Sequence, residues 1–139
     1  MTGRWRWVQR TAAVLGGDMR LVLVIDDDPA MLNAVRRMLR DLPIRLVCLE
    51  SAEEALELMR MQLPDAIVSD HGLPGISGLE LLVEVRTRWP QIRTLLHTGN
   101  PTAREQAEHL RLPAVEKGAE PRALRAMLSS LLGGDARPE

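Results

Sequence analysis

The 139 residues predict a single α/β domain: a doubly wound, five-stranded parallel sheet with helices on both faces. Three observations carry this. Short, nearly continuous apolar runs alternate with longer amphipathic ones, the pattern of strands covered on both sides and the helices that cover them. Helix-start signals stand between those runs. Each strand is followed by a helix, which implies parallel strands joined by right-handed crossovers.

The first strand is "RLVLVID" at 20–26. Asp28-Pro29 then offers an N-cap with proline at the first helical position, and Leu32, Val35 and Leu39 fall on one face. "IRLVCLE" at 44–50 is the second strand, and "SAEE" at Ser51–Glu54 fits the S-x-x-E capping box that opens the next helix. "DAIVSD" at 65–70 is the third strand; the Gly- and Pro-rich "HGLPGI" follows, and "SGLE" at Ser77–Glu80 is a second capping box. "IRTLLHT" at 92–98 and "LPAVEK" at 112–117 complete the strands. Asn100-Pro101 opens the fourth helix, and Pro121 a fifth that ends at Gly133-Gly134. The expected organisation is a flexible extension over 1–18, the domain over 19–133 and a polar tail over 134–139.

Composition narrows the function. The chain is 45% hydrophobic and 27% charged, ordinary for a globular domain. With no Phe, no Tyr and three Trp, its core must be aliphatic. A net charge of −1, from 18 basic and 19 acidic residues, gives no general field for a nucleic acid backbone. Cys48 has no intramolecular disulfide partner and reads as a buried small hydrophobe in a reducing compartment. No run is apolar enough to span a membrane, and the opening "MTGRWRWVQRTAAVLGGD" makes a poor signal peptide. The expected location is the cytoplasm.

In doubly wound sheets a site forms at the carboxyl ends of the strands, where the chain order reverses. Polar residues gather at those ends. Strand one ends in Asp26 and Asp27, strand three in Asp70, strand four in Thr98 and strand five in Lys117. With strands one and three as neighbours, the three acids converge and repel one another unless cations compensate. Lys117 can supply one positive charge, and a divalent ion such as Mg2+ suits clustered carboxylate oxygens. Taken singly, each residue has a plain structural use: Asp28 as a helix cap, Asp26 or Asp27 as a turn acid, Asp70 in an Asx turn, Thr98 in a turn. Their joint placement at one edge is what those uses leave unexplained.

The motifs "VLVIDDDP", "PDAIVSDHGLPGISGLELL", "LLHTG" and "VEKG", in that order, resemble the receiver domain of bacterial two-component response regulators, from about Arg20 to Leu132. "PDAIVSDHGLPG" and "EPRALRAML" resemble receivers attached to hybrid histidine kinases. The resemblance implies the flavodoxin-like strand order 2-1-3-4-5. It also implies that Asp70 accepts a phosphoryl group from a histidine kinase or phosphotransfer protein. By the same resemblance Asp26, Asp27, Asp70 and the backbone carbonyl of Gly72 hold Mg2+, Asp27 directly and Asp26 largely through water. Thr98 and Lys117 would meet phosphoryl oxygens. The implied role is signalling by protein contact, with an unknown downstream protein and no DNA-binding domain in this chain. A homodimer through the face of helix four, strand five and helix five is open to it. Catalysis is confined to the protein's own phosphorylation and dephosphorylation.

Three departures stand against the family pattern. Gly118 follows Lys117 where the family has proline in a cis peptide. Ala114 stands where it tends to carry an aromatic ring. The stretch from Thr98 to Lys117 is a few residues short. All three lie on the face the family uses to pass on its signal, so phosphorylation with a modest or unconventional conformational response is expected. Two alternatives remain. One is a phosphorylation-independent pseudo-receiver. The other is a haloacid-dehalogenase-like phosphatase, whose first motif is similar to "VIDDDP", but which needs an acidic pair after Lys117 and leaves Asp70 idle.

Of the three histidines, none has metal-site spacing. His71 is placed to line the pocket mouth, and His109 reads as a surface helix histidine. "RWRW" mixes cations and indoles in too short a segment to assign, and Met19 is an alternative translation start.

Overall fold

The computed structural model describes residues 8–10 and 19–133. The elements are β1 (Val8–Arg10), β2 (Arg20–Ile25), α1 (Pro29–Met38), β3 (Ile44–Leu49), α2 (Ala52–Met59), β4 (Ala66–Ser69), α3 (Gly78–Arg88), β5 (Arg93–Thr98), α4 (Pro101–His109), β6 (Ala114–Glu116) and α5 (Pro121–Leu131).

The sheet runs β1-β3-β2-β4-β5-β6. Its five parallel strands stand in the order 2-1-3-4-5 counted among themselves, as the sequence predicts. The addition is β1, from the segment expected to be a flexible extension: it pairs antiparallel with β3, Val8 opposite Val47 and Arg10 opposite Arg45. It covers an edge whose free N–H and C=O groups would otherwise face outward. The "RWRW" motif and the 134–139 tail lie outside the described residues.

Side-chain alternation divides the core in two. Leu21, Leu23, Ile25, Val47, Leu49, Ile67 and Leu96 face α2, α3 and α4. Val22, Val24, Leu46, Cys48, Val68, Leu95 and Val115 face α1 and α5. Each apolar run is thus buried on both sides, at roughly 1.5–3 kcal/mol for each fully buried Leu, Ile or Val. The helices differ in grip: α3 buries Leu79, Leu81, Leu82 and Val85, but α4 buries only Ala103 and Ala107.

The predicted caps form, with one difference. Asp28 accepts from the Ala30 N–H at 3.0 Å and Asn100 from the Ala103 N–H at 3.1 Å. Ser77 and Glu80 make the reciprocal capping box. At Ser51 only half of the box is present: the Ser51 hydroxyl accepts from the Glu54 N–H, but the Glu54 carboxylate accepts from Glu50, one residue before the cap. The chain enters α2 directly from β3, which leaves the Glu50 N–H beyond the ladder and in need of a partner. At the opposite end of the sheet, Arg20 donates to the Leu132 carbonyl at 2.6 Å and Arg93 to the Leu131 carbonyl at 2.9 Å, closing the carboxyl end of α5.

Candidate functional site

The chain reverses direction across the sheet between β2 and β4, so their carboxyl ends open a crevice. The ladder runs one residue past each strand: the Asp26 N–H donates to the Leu49 carbonyl at 3.0 Å and the Asp70 N–H to the Ile25 carbonyl at 2.8 Å. Both aspartates are therefore held on rigid backbone at the rim. Carboxylate oxygens of Asp26, Asp27 and Asp70 all lie within 4.8 Å of one another.

Lys117 answers that charge. Its Nζ stands 2.8 Å from Asp26 Oδ2 and 3.1 Å from Asp70 Oδ1. The Lys117 N–H donates to the Thr98 carbonyl at 3.0 Å, which anchors the end of β6 to β5. The departure at Gly118 is absorbed locally: no cis peptide occurs among the described residues, and Gly118 takes φ +86°, a left-handed conformation that glycine adopts without strain. The lysine reaches its acids by this turn. Thr98 is buried at the same rim, and its hydroxyl oxygen accepts from the Asn100 N–H at 3.0 Å. Gly72 stands exposed in the loop two residues past Asp70.

Burial drives the electrostatics. Asp26, with its side chain 3% exposed, has its carboxyl pushed above the usual range by desolvation; Lys117 and the Asp28 N–H pull it down, and Asp70 pushes it up again. Burial alone would lower Lys117, but the two carboxylates outweigh it, Asp26 before Asp70, and hold its ammonium above the ordinary lysine value. Although the ammonium lies at 2.8 Å, Asp26 Oδ2 accepts no well-directed hydrogen bond. A buried anionic oxygen beside two further carboxylates is a donor set that fits a hard, oxygen-loving cation.

Two features escaped the sequence reading. Gly78, the first residue of α3, is packed against the site: a Cβ there would stand 1.7 Å from the Asp70 carbonyl oxygen. His97 is the other. It lies one residue beyond the paired Ile25, Ser69 and Leu96, in the row of Asp26 and Asp70. It is 4% exposed, and its imidazole is held to about 4, first by burial, then by the Lys117 charge, against a smaller pull from Asp70. The alternation that puts Leu95 against α1 and α5 puts His97 on the same side, a signal the sequence does contain. His71 stands beside Asp70, as expected from sequence: its main-chain N–H donates to Asp70 Oδ1 at 2.8 Å, and its ring lines a groove between α3 and α4. His109 lines that groove as well.

This constellation on this fold defines a receiver. The chain belongs to the response regulator receiver domain family, whose family model matches residues 22–129. Among curated relatives, the hydrogenase transcriptional regulatory protein HoxA of Cupriavidus necator is 41% identical over 56% of this chain and 16% of its own. The transcriptional activator protein ExaE of Pseudomonas putida is 32% identical over 83% of this chain and 56% of its own. The chain thus spans about half or less of these relatives. Among solved structures, a putative response regulator from Chloroflexus aurantiacus matches with TM-score 0.75 and 27% identity, covering 84% of this chain and 99% of that one. The signal receiver domain of an HD domain-containing protein from Pseudomonas fluorescens has the same fold, with TM-score 0.76 and 24% identity over 87% and 90% of the two chains. Among the described residues, no helix is long and apolar enough to cross a membrane.

Proposed function

We propose that the protein is a phosphoacceptor receiver of a cytoplasmic phosphorelay, taking a phosphoryl group from a phosphohistidine onto Asp70 and signalling through protein contacts. The observation that carries this is the Lys117 ammonium poised between Asp26 and Asp70, at 2.8 and 3.1 Å, with Asp27 beside them. Asp70 Oδ1 is engaged by the His71 N–H and by Lys117, which supports Oδ2 as the attacking oxygen. The new O–P bond forms as the N–P bond of the donor breaks, and the leaving imidazole nitrogen keeps the electron pair and takes up a proton. The transferred group spreads negative charge over three equatorial oxygens. Lys117 and the Thr98 hydroxyl are placed to meet that charge on pre-positioned backbone. Asp26, Asp27, Asp70 and the Gly72 carbonyl would hold Mg2+, which supplies further positive charge to the phosphoryl oxygens.

The donor is a histidine kinase or phosphotransfer protein, and the face of α4, β6 and α5 is the candidate for output or self-association. With Lys117 in reach of both acids, Gly118 no longer favours the phosphorylation-independent alternative. Engagement of Asp70 with Lys117 likewise disfavours the phosphatase alternative, which has no use for it.

The test is labelling with acetyl phosphate, with and without Mg2+, in the wild type and in Asp70→Asn. Magnesium-dependent, acid-stable label lost in the variant is expected. Label that persists in Asp70→Asn, or none in either protein, overturns the assignment.

A further inference from the structure

A groove of about 810 Å³ runs between α3 and α4. Its apolar surface comes from Leu79, Val83 and Leu110, and Glu80 and Glu84 stand on its α3 side. Leu110 is 40% exposed, one of few large apolar side chains so open to water among the described residues. No lysine or arginine is among its lining residues; the cations nearby are Arg88 and Arg86, the latter donating to the Leu110 carbonyl at 2.7 Å. Glu84 pairs with Arg88 at 2.9 Å, but both side chains are about half exposed, and such a pair is worth little and dissolves readily. Glu80 spends one oxygen on the Ser77 N–H and keeps its charge.

His71 forms the end of the groove nearest the acid cluster. Its main-chain N–H holds Asp70 Oδ1, while its ring Nδ1 is buried in the groove wall with no protein hydrogen-bond partner. One residue thus touches the acid cluster with its backbone and the groove with its ring.

We propose that this groove docks a helix of a partner protein carrying a leucine-type stripe flanked by lysine or arginine, and that His71 couples its occupancy to the state of Asp70. An inter-helical channel with an apolar floor accepts one face of a third helix, read at i, i+4 and i+7. Two glutamates on the α3 side, of which only Glu84 has a cation partner among the described residues, select the charge of that helix. The coupling half rests on the phosphoacceptor reading; the docking half does not.

The probe is a synthetic helical peptide with leucines at i, i+4 and i+7 and lysines beside them. Its counterpart carries glutamates in place of the lysines. Both are titrated into the full chain and followed by fluorescence anisotropy and by amide shifts. The lysine peptide binds, shifts Leu79, Val83 and Leu110, and exceeds the glutamate peptide by about tenfold or more. Leu110→Glu and Glu84→Lys each weaken it by about tenfold; Glu84→Lys alters a half-exposed position on the solvent side of α3 and leaves the fold intact. Failure to bind, equal binding of both peptides, or indifference to both variants overturns the docking. So does a dimer, seen by sedimentation, that Leu110→Glu dissociates, since the occupant is then a second copy. Beryllofluoride with Mg2+ changes the peptide affinity by about fivefold in the wild type and not in His71→Ala. No change in the wild type overturns the coupling. Peptide binding that persists in a protein acetyl phosphate cannot label separates failure of the phosphoacceptor reading from failure of the docking.

Discussion

Replacing Gly78 by alanine adds one methyl group where the structure has no space. The new Cβ would lie 1.7 Å from the Asp70 oxygen, 2.6 Å from the Asp70 carbonyl carbon and 2.9 Å from the His71 Cα. All three are backbone atoms, so no side chain can rotate away. To reach ordinary contact at 3.4 Å from 1.7 Å, either α3 or the end of β4 must move by about 1.7 Å. That movement also breaks the 2.8 Å hydrogen bond from the Gly78 N–H to the His71 carbonyl. Overpacking of a tight site costs about 1–3 kcal/mol, and the lost hydrogen bond about 1 kcal/mol more. A displacement of about 1 Å in a reacting group costs about a hundredfold in rate. Gly78→Ala is therefore expected to lose about 3 kcal/mol in urea denaturation and about a hundredfold in acetyl phosphate labelling, measured where the variant remains folded. Gly72→Ala is the control, because a Cβ there meets nothing within 4 Å; its stability should stay within about 0.5 kcal/mol of wild type. Gly78→Ala with wild-type stability and labelling would refute the packing described between α3 and Asp70.

Acidification probes His97. Its folded value of about 4 lies below the ordinary 6.5, so the unfolded chain takes up the proton first. The stability it confers is present above about pH 6.5 and is lost progressively toward pH 4, by about 3 kcal/mol. Asp26 works in the opposite sense, its raised carboxyl adding stability as pH falls, so the measured quantity is the wild type minus His97→Leu, in which Asp26 cancels. A difference that does not change with pH counts against the buried neutral imidazole. Magnesium at a hundredfold above its Kd should stabilise the wild type by about 2.7 kcal/mol, and Asp27→Ala should abolish this with little effect on the metal-free protein. An undiminished magnesium response in Asp27→Ala removes that residue from the ligand set. At the far end of the sheet, Arg20→Met or Arg93→Met should each cost about 1 kcal/mol through an uncapped carbonyl of α5. Chemical denaturation that shows no loss in either would mean those contacts contribute nothing.

The sequence made some of this legible because the physics is local. Strands buried on both faces announce themselves as unbroken apolar runs, and polar residues at their ends stand out against that background, so the convergence of Asp26, Asp70 and Lys117 at one rim is legible from position. Strand β1 could not be found this way. Val8–Arg10 has no period of its own and is a strand only because β3 offers an open edge. The half-formed capping box at Ser51 depends on how tightly β3 passes into α2. The groove that His71 lines exists only once α3 and α4 lie side by side, and no spacing along the chain encodes its width. Gly78 stands in the sequence only as part of a capping box, and the clash that demands glycine there comes from a strand end eight positions earlier in the chain.

The shallow attachment of α4 has a further consequence. Two alanine methyl groups, Ala103 and Ala107, are what the helix itself buries, at about 0.8 kcal/mol apiece, whereas α3 seats three leucines and a valine. Detaching α4 therefore costs only a fraction of the free energy of global unfolding, and its amides should exchange with solvent through partial openings that leave the rest of the domain closed. A segment so lightly held is inexpensive for chemistry at the neighbouring rim to relocate.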